Sequence, residues 1–168
     1  MSTPVTEIPA KPIPHVAKEL LQSNGFLLAR LGFAFKGRAL AKLEGEGFDP
    51  YDYSVLAILD EGAHQAQATI AGALALDPSR LVALLDSLEE RKLVERKRDP
   101  NDRRRHVVSI TVTGERRLAE LRDIVQELED EYFAPLDAKT RETLHDILLQ
   151  LACHHDPRCA FRSDDATA

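Results

Sequence analysis

Apolar residues recur along this chain in two rhythms, one helical and one extended, and the change between them divides it into elements. From about His15 to Leu43, the residues Leu20, Leu21, Leu27, Leu28, Leu31, Phe35 and Leu43 form a broad apolar face, which predicts one long helix. Gly25, Gly32 and Gly37 interrupt that helix and lower its propensity. The run EGEGFDP, residues 44–50, predicts a loop. Asp52 then begins a short helix through Asp60, with Val55, Leu56 and Leu59 inward. Gln67 to Ala75 predicts another, with Ile70 and Leu74 buried. Asp77-Pro78 is a start signal: the aspartate caps free amides, and proline is preorganised for the first helical position. The helix so begun carries Leu81, Leu84, Leu85 and Leu88 on one side and ends near Lys92. Two short apolar helices joined by a turn around Ala75-Leu76 predict a helix-turn-helix.

The rhythm then becomes extended. Leu93 to Arg96 starts one strand, and His106 to Thr111, with its β-branched residues, predicts a second. DPND, residues 99–102, is turn chemistry between them. The product is a β-hairpin with a basic rim, a wing placed directly after the helix-turn-helix. A long helix follows from about Thr113 to Phe133, in which Leu118, Leu121, Val125, Leu128 and Tyr132 make a narrow seam. Pro135 ends it, and Asp137 can cap a last helix with Leu144, Ile147, Leu148 and Leu151 on one side. The chain thereby divides into a proline-rich arm (1–14), an N-terminal dimerisation helix (15–48), a winged helix-turn-helix lobe (49–112), C-terminal dimerisation helices (113–154) and a polar tail (155–168). The fold class is mainly α with a small β-hairpin.

Charge sharpens this outline. Between Arg91 and Arg105 eight basic residues stand against three acidic ones, in a chain of 168 residues whose net charge is −6. A basic ridge on an acidic body can meet a polyanion at one surface only, so nucleic acid is the first partner to consider. With 43% hydrophobic and 30% charged residues the composition is globular. Tryptophan is absent and aromatics make up 5%, which disfavours a stacking platform for single strands. No apolar run reaches the roughly 18 residues of a membrane span. MSTPVTEIPAKPIPH lacks the apolar core of a signal peptide, and two cysteines imply no disulfide framework, so a cytoplasmic location is expected.

In the order of its elements the chain resembles the MarR (multiple antibiotic resistance regulator) family of winged helix-turn-helix transcription factors. The resemblance covers roughly residues 16–152 and is strongest in DPSRLVALLDSLEERKLVERKRDPNDRRRHVVSITVTGERRL, residues 77–118. It implies a recognition helix, a wing and the start of a dimerisation helix there, with the family's Asp-x-Arg wing motif on Asp102 and Arg104. Two departures stand out. The family usually carries glycine in the turn where this chain has Ala75, and again after the recognition helix where it has Lys92. A left-handed backbone at either would cost a non-glycine residue about 1 kcal/mol.

With Leu81, Leu84 and Leu88 inward, Ser79, Arg80, Val82, Ala83 and Ser87 face out. Recognition helices read base edges chiefly with their first turns. Arg80 suits a bidentate guanine contact, Ser79 a base or phosphate, and Val82 and Ala83 thymine methyls; the lesser alternative for Arg80 is an ordinary solvated helix residue. In the wing, Arg104 would enter the minor groove, and the resemblance implies that Asp102 orients it. Arg96, Lys97, Arg98, Arg103 and Arg105 cannot all face one way on a two-stranded ribbon, so some of them meet phosphates or solvent. The expected function is a sequence-specific regulator on double-stranded DNA, a homodimeric repressor on a pseudo-palindromic site. The resemblance also implies release by a small aromatic or anionic effector. Arg30, Phe33, Tyr51, Tyr53 and His64 lie in segments able to line such a cleft, though aromatics at these spacings more often belong to a plain core.

Other classes fit less well. The chain has no glycine-rich phosphate loop, no GxSxG and no HExxH, so an enzyme is not expected. Cys153, His154, His155 and Cys159 match no zinc spacing, and only Arg158 lies near to lower a thiol pKa. No metal or cofactor is expected, although a metal- or redox-responsive regulator on this fold stays open. A winged protein-interaction module would call for a blunt, uncharged wing, against the charge excess seen here.

Overall fold

The computed structural model of the protein describes residues 15–62, 65–98 and 106–160. The proline-rich arm, His64, Asp102, Arg103, Arg104, Arg105 and the end of the polar tail lie outside the described residues. The chain divides into two compact units, the first ending at Lys36 and the second beginning at Gly37.

The described part of the first unit is helical. The single long helix expected from His15 is broken: α1 covers Lys18–Leu21 and α2 covers Asn24–Gly45. Ser23 makes the break, because its Oγ accepts the Phe26 N–H at 3.2 Å and so starts a new helix. Helix α2 continues across the division into the second unit. The three glycines expected to disturb it have open space around them or a single light contact, and the helix runs through all three.

In the second unit the order is α3 (Pro50–Glu61), β1 (Gln65–Ala66), α4 (Gln67–Leu74), α5 (Pro78–Glu90), β2 (Val94–Arg98), β3 (His106–Ile110), α6 (Val112–Tyr132), α7 (Ala138–His155) and a 3₁₀ turn at Pro157–Cys159. Helix α3 starts two residues earlier than expected. Asp49, not Asp52, is its cap, and it accepts the N–H groups of Tyr51 and Asp52 at 2.6 and 2.9 Å. Asp52 closes the capping box by accepting the Asp49 N–H at 3.0 Å.

The sheet is three-stranded and antiparallel in the order β1-β3-β2. Val94 faces Ile110 and Arg98 faces His106, while Gln65 and Ala66 pair with Val108 and Val107 on the other edge. Strand β1 had no signal in the sequence, since two residues are too few to show alternation. The core joins all these layers. Val55, Leu56 and Leu59 of α3, Ile70 of α4, Leu81, Leu85 and Leu88 of α5, Val108 of β3, and Leu118 and Leu121 of α6 are essentially inaccessible. Truncating such a residue to alanine costs about 2–5 kcal/mol.

Two expectations change here. The α6 seam was expected on the outside, as a dimer surface. Instead Leu118, Leu121 and Leu128 are buried within the chain, and α6 packs along α3. Leu118 and Leu121 join the core cluster that Val55, Leu56 and Leu59 of α3 also line. The large apolar residues left exposed lie elsewhere, among them Leu28, Leu31 and Phe33 on α2 and Ile147, Leu148 and Leu151 on α7.

The second change concerns helix ends. Three helices close the same way, with one residue in the left-handed region followed by a buried apolar one. After α2 that residue is Gly47, with φ of 75°. After α4 it is Ala75, with φ of 50°, and after α5 it is Lys92, with φ of 61°. Leu76 and Leu93 then donate their N–H groups back to Ala71 and Leu88 at 3.0 and 2.9 Å. The two positions lacking the family's glycine are thus the two non-glycine residues with positive φ among the described residues. Ala75→Gly and Lys92→Gly are each expected to raise unfolding free energy by about 1 kcal/mol, or Tm by roughly 2–4 °C. Thermal denaturation reads this directly, and unchanged midpoints would mean that the left-handed backbone carries no cost at these ends.

Candidate nucleic-acid interface

Helices α4 and α5 form the helix-turn-helix, with Ala75 turning the chain between them. Asp77 caps α5, accepting the Ser79 N–H at 2.8 Å and the Ser79 hydroxyl as well. The hydroxyl and amide donors of Ser79 hold the Asp77 carboxyl below the usual carboxylate range. This spends the Ser79 hydroxyl proton, so towards any other partner Ser79 can act chiefly as an acceptor. Leu81, Leu84, Leu85 and Leu88 are buried, and Ser79, Arg80, Val82, Ala83 and Ser87 are all exposed, as their spacing demands. The Arg80 guanidinium lies over the Tyr51 ring, 4.4 Å from its centroid.

The ribbon after α5 sorts the basic strip into different jobs. Alternation puts Val94, Arg96 and Arg98 on one face of β2 and Glu95 and Lys97 on the other. Arg96 is not left for a polyanion. Its Nε and Nη2 donate to Glu89 Oε2 at 2.9 and 2.5 Å, and Nη2 reaches Asp86 Oδ1 at 2.6 Å. The backbone N–H of Arg96 also donates to Glu89 Oε1, at 3.1 Å. Since β2 is an edge strand, that N–H has no neighbouring strand to meet, and Glu89 satisfies it from α5. Arg96 holds the Glu89 carboxyl below its ordinary range, chiefly through the side-chain hydrogen bond. The expected rim contact of Arg96 becomes an internal clamp between wing and helix. Lys97 pairs with Glu95 on its own face, and both Lys97 and Arg98 are exposed.

A second charged cluster sits at the junction of α2 and α3, where none was expected. Phe48 is buried, with the Arg91 guanidinium 3.7 Å and that of Arg117 5.1 Å from its ring centroid. Arg91 also approaches Asp52 at 3.9 Å. Burial pushes the Asp52 carboxyl up; the Asp49 amide and the Arg91 guanidinium pull it back, while the Asp49 charge adds to the rise. Arg91, counted in the basic strip, thus serves the interior. Phe48, Asp86 and Glu89 are the residues that sequence reasoning missed here, and Tyr51, considered for an effector cleft, meets Arg80. The i, i+3 spacing of Asp86 and Glu89 on the face of α5 nearest β2 was their one available signal.

Of the residues considered for an effector, Arg30 and Phe33 share an open groove of about 520 Å³ on α2 with Phe26, Ala29 and Ala34, and Phe33 is 82% exposed. Tyr51 and Tyr53 lie on α3, half-buried against the core. A second groove, about 400 Å³, lies between α6 and α7 beside Phe133, Arg141, Leu144 and Leu148. At the end of α7, the Cys153 thiol contacts the Cys159 carbonyl oxygen at 3.1 Å, and the His154 and His155 rings meet edge to face. Among the described residues no three His, Cys, Asp or Glu side chains converge to hold a metal ion. No single described helix is long and apolar enough to cross a membrane.

A helix-turn-helix followed by a basic ribbon and a long helix is what comparison with known proteins also finds. The family model described as MarR family matches residues 46–105. A MarR-family transcriptional regulator from Rhodococcus sp. RHA1 superposes with a TM-score of 0.69 at 32% identity, covering 78% of this chain and 96% of its own. The transcriptional repressor CouR, solved on a 23-mer DNA duplex, gives 0.75 at 30% identity, covering 83% and 99%. CouR from Rhodococcus jostii RHA1, solved with p-coumaroyl-CoA, gives 0.70 at 32% identity, covering 88% and 100%. With the same elements in the same order over nearly the whole length of these proteins, this chain belongs to the MarR family of DNA-binding transcriptional regulators.

Proposed function

We propose that the protein is a homodimeric repressor that reads a pseudo-palindromic site in double-stranded DNA and is released by a small aromatic anion. The surface of α5 carries this reading: four buried leucines anchor a helix whose outer face offers Arg80, which makes no ion pair among the described residues, beside the small side chains of Ser79, Val82, Ala83 and Ser87. A duplex major groove admits such a helix, and small residues let its backbone approach the bases. Arg80 is the guanine reader, and Val82 and Ala83 meet thymine methyls. Ser79 accepts from a base, and Ser87 meets a base or a phosphate. Lys97 and Arg98 neutralise phosphates beside the groove. Arg103, Arg104 and Arg105 belong to the wing, with Arg104 in the minor groove and Asp102 orienting it. Arg96 braces the wing against α5. CouR, on DNA in one structure and with p-coumaroyl-CoA in another, supports both halves of the reading.

The exposed apolar side chains of α2 and α7 support a dimer, since clusters of that kind usually mark association surfaces. Two copies related by a two-fold axis would read two half-sites about one helical turn apart. On α2, Arg30 and Phe33 offer a cation and an open aromatic face to the effector.

Three measurements test this. Selection of genomic fragments yields a bound duplex. On it, Arg104→Ala should lower affinity for all sequences and flatten the salt dependence, with the slope falling by about one. Arg80→Ala should instead relax preference at one base pair by about 1–3 kcal/mol. If Arg104→Ala changes neither affinity nor slope, the wing reading fails. Sedimentation at micromolar concentration should give a dimer, and a monomer there would rule out the symmetric mode. Adding p-coumaroyl-CoA should dissociate the protein from that duplex, less readily for Arg30→Ala; an unchanged complex would remove aromatic acyl-CoA thioesters as effectors.

A further inference from the structure

Arg80 differs from the other arginines near it. Arg91 meets Asp52, Arg96 meets Glu89 and Asp86, and Arg117 meets Glu46 and Glu120. Among the described residues Arg80 makes no ion pair, and its recorded partner is a ring. Tyr51 occupies the first turn of α3, where the Asp49 cap fixes its backbone through a 2.6 Å hydrogen bond, and its ring is half-buried against the core. The guanidinium 4.4 Å above that ring rests on a rigid plate rather than on another mobile side chain.

A guanidinium that stacks on an aromatic ring does so with its flat face and leaves its edge free. The five N–H donors lie in the plane, and a bidentate contact to guanine uses two of them from the edge. An ion pair would do the opposite, because a carboxylate occupies the edge. A free arginine also loses much rotamer freedom when it docks. A ring that already holds the side chain removes part of that loss before DNA arrives.

We infer that Tyr51 is a positioning residue for sequence recognition: it holds the Arg80 guanidinium edge-outward and thereby sets discrimination at the base pair Arg80 reads. Tyr51 does not itself meet DNA in this role. The inference rests on the reading of Arg80 proposed above, and its test keeps the two separable.

The test is a double-mutant cycle on the full-length protein, using the duplex selected from genomic fragments and a second duplex altered at the base pair where Arg80→Ala relaxes preference. Tyr51→Leu keeps apolar bulk against the core and removes the ring face, while Tyr51→Phe keeps the ring; unfolding midpoints establish that each variant is folded. Tyr51→Leu should reduce the affinity ratio between the two duplexes roughly three- to fivefold, as expected for an exposed cation–π contact. Tyr51→Phe should leave the ratio near that of the unaltered protein, and Tyr51→Leu should do nothing further once Arg80→Ala is present. If Arg80→Ala relaxes the ratio but Tyr51→Leu does not, or if the two effects simply add, the positioning role is overturned and the Arg80 reading stands. If Arg80→Ala leaves every ratio unchanged, both fall together. Should Tyr51→Leu not fold, Tyr51→Met tests the same loss of a ring, with the same outcomes deciding.

Discussion

The backbone of Leu93 is the joint on which the lobe depends. Its N–H closes α5 by returning to Leu88, and its carbonyl accepts the Thr111 N–H at 3.0 Å where β3 ends. The Thr111 hydroxyl donates to the Lys92 carbonyl at 2.7 Å, lies 3.2 Å from that of Leu93, and accepts the Gly114 N–H at 3.0 Å, capping α6. Gly114 completes the joint by its lack of a side chain: a Cβ there would stand 2.1 Å from the Leu93 carbonyl oxygen. Helix α5, both wing strands and the head of α6 therefore meet within a few ångströms. The joint therefore depends on two residue identities, the Thr111 hydroxyl and the bare Cα of Gly114.

Around this joint the basic strip does two kinds of work. Arg91 and Arg96 point into the protein and tie α5 to its neighbours, whereas Lys97 and Arg98 face outward. The energetic difference follows from exposure. The Arg96 side chain is 22% exposed and shared between two carboxylates, so it holds its place, while exposed pairs such as Lys97–Glu95 are worth roughly 0–1 kcal/mol and exchange readily. A phosphate can displace Glu95 from Lys97 at little cost. Displacing both acids from Arg96 would also strip the Arg96 backbone N–H of its partner. Net charge over the strip therefore overstates what it offers DNA.

Much of this was legible in the sequence because it is periodic or locally encoded. The four leucines of α5 recur at helical spacing, Asp77-Pro78 starts the helix, and Asp137 caps α7 by accepting the Thr140 N–H at 2.8 Å. Ala75 and Lys92 were conspicuous because a resemblance made the missing glycines visible. What stayed hidden was long-range or ambiguous. The seam of α6 has one spacing whether it meets α3 or a second copy, and only tertiary packing decides. The clamp on Arg96 needs α5 and β2 side by side, which no run of residues encodes. Phe48 falls in a run that reads as a loop, and Tyr51 reads as a cleft or core aromatic, until Arg91 and Arg80, far along the chain, are laid over them. The break at Ser23 was a local signal passed over in favour of a long apolar face.

The Asp77 cap has a consequence of exclusion. A helix N-terminus ordinarily welcomes phosphate, because its first amides are free and its dipole is positive there. At α5 a carboxylate kept charged by its own donors already fills that seat. A phosphate brought head-on to this end meets a negative charge instead of free amides. With α5 docked as proposed, the sugar-phosphate strand would run along the flanks of the helix, and the space directly ahead of it would be left to groups that carry no net charge. In a nucleic acid those groups are the bases.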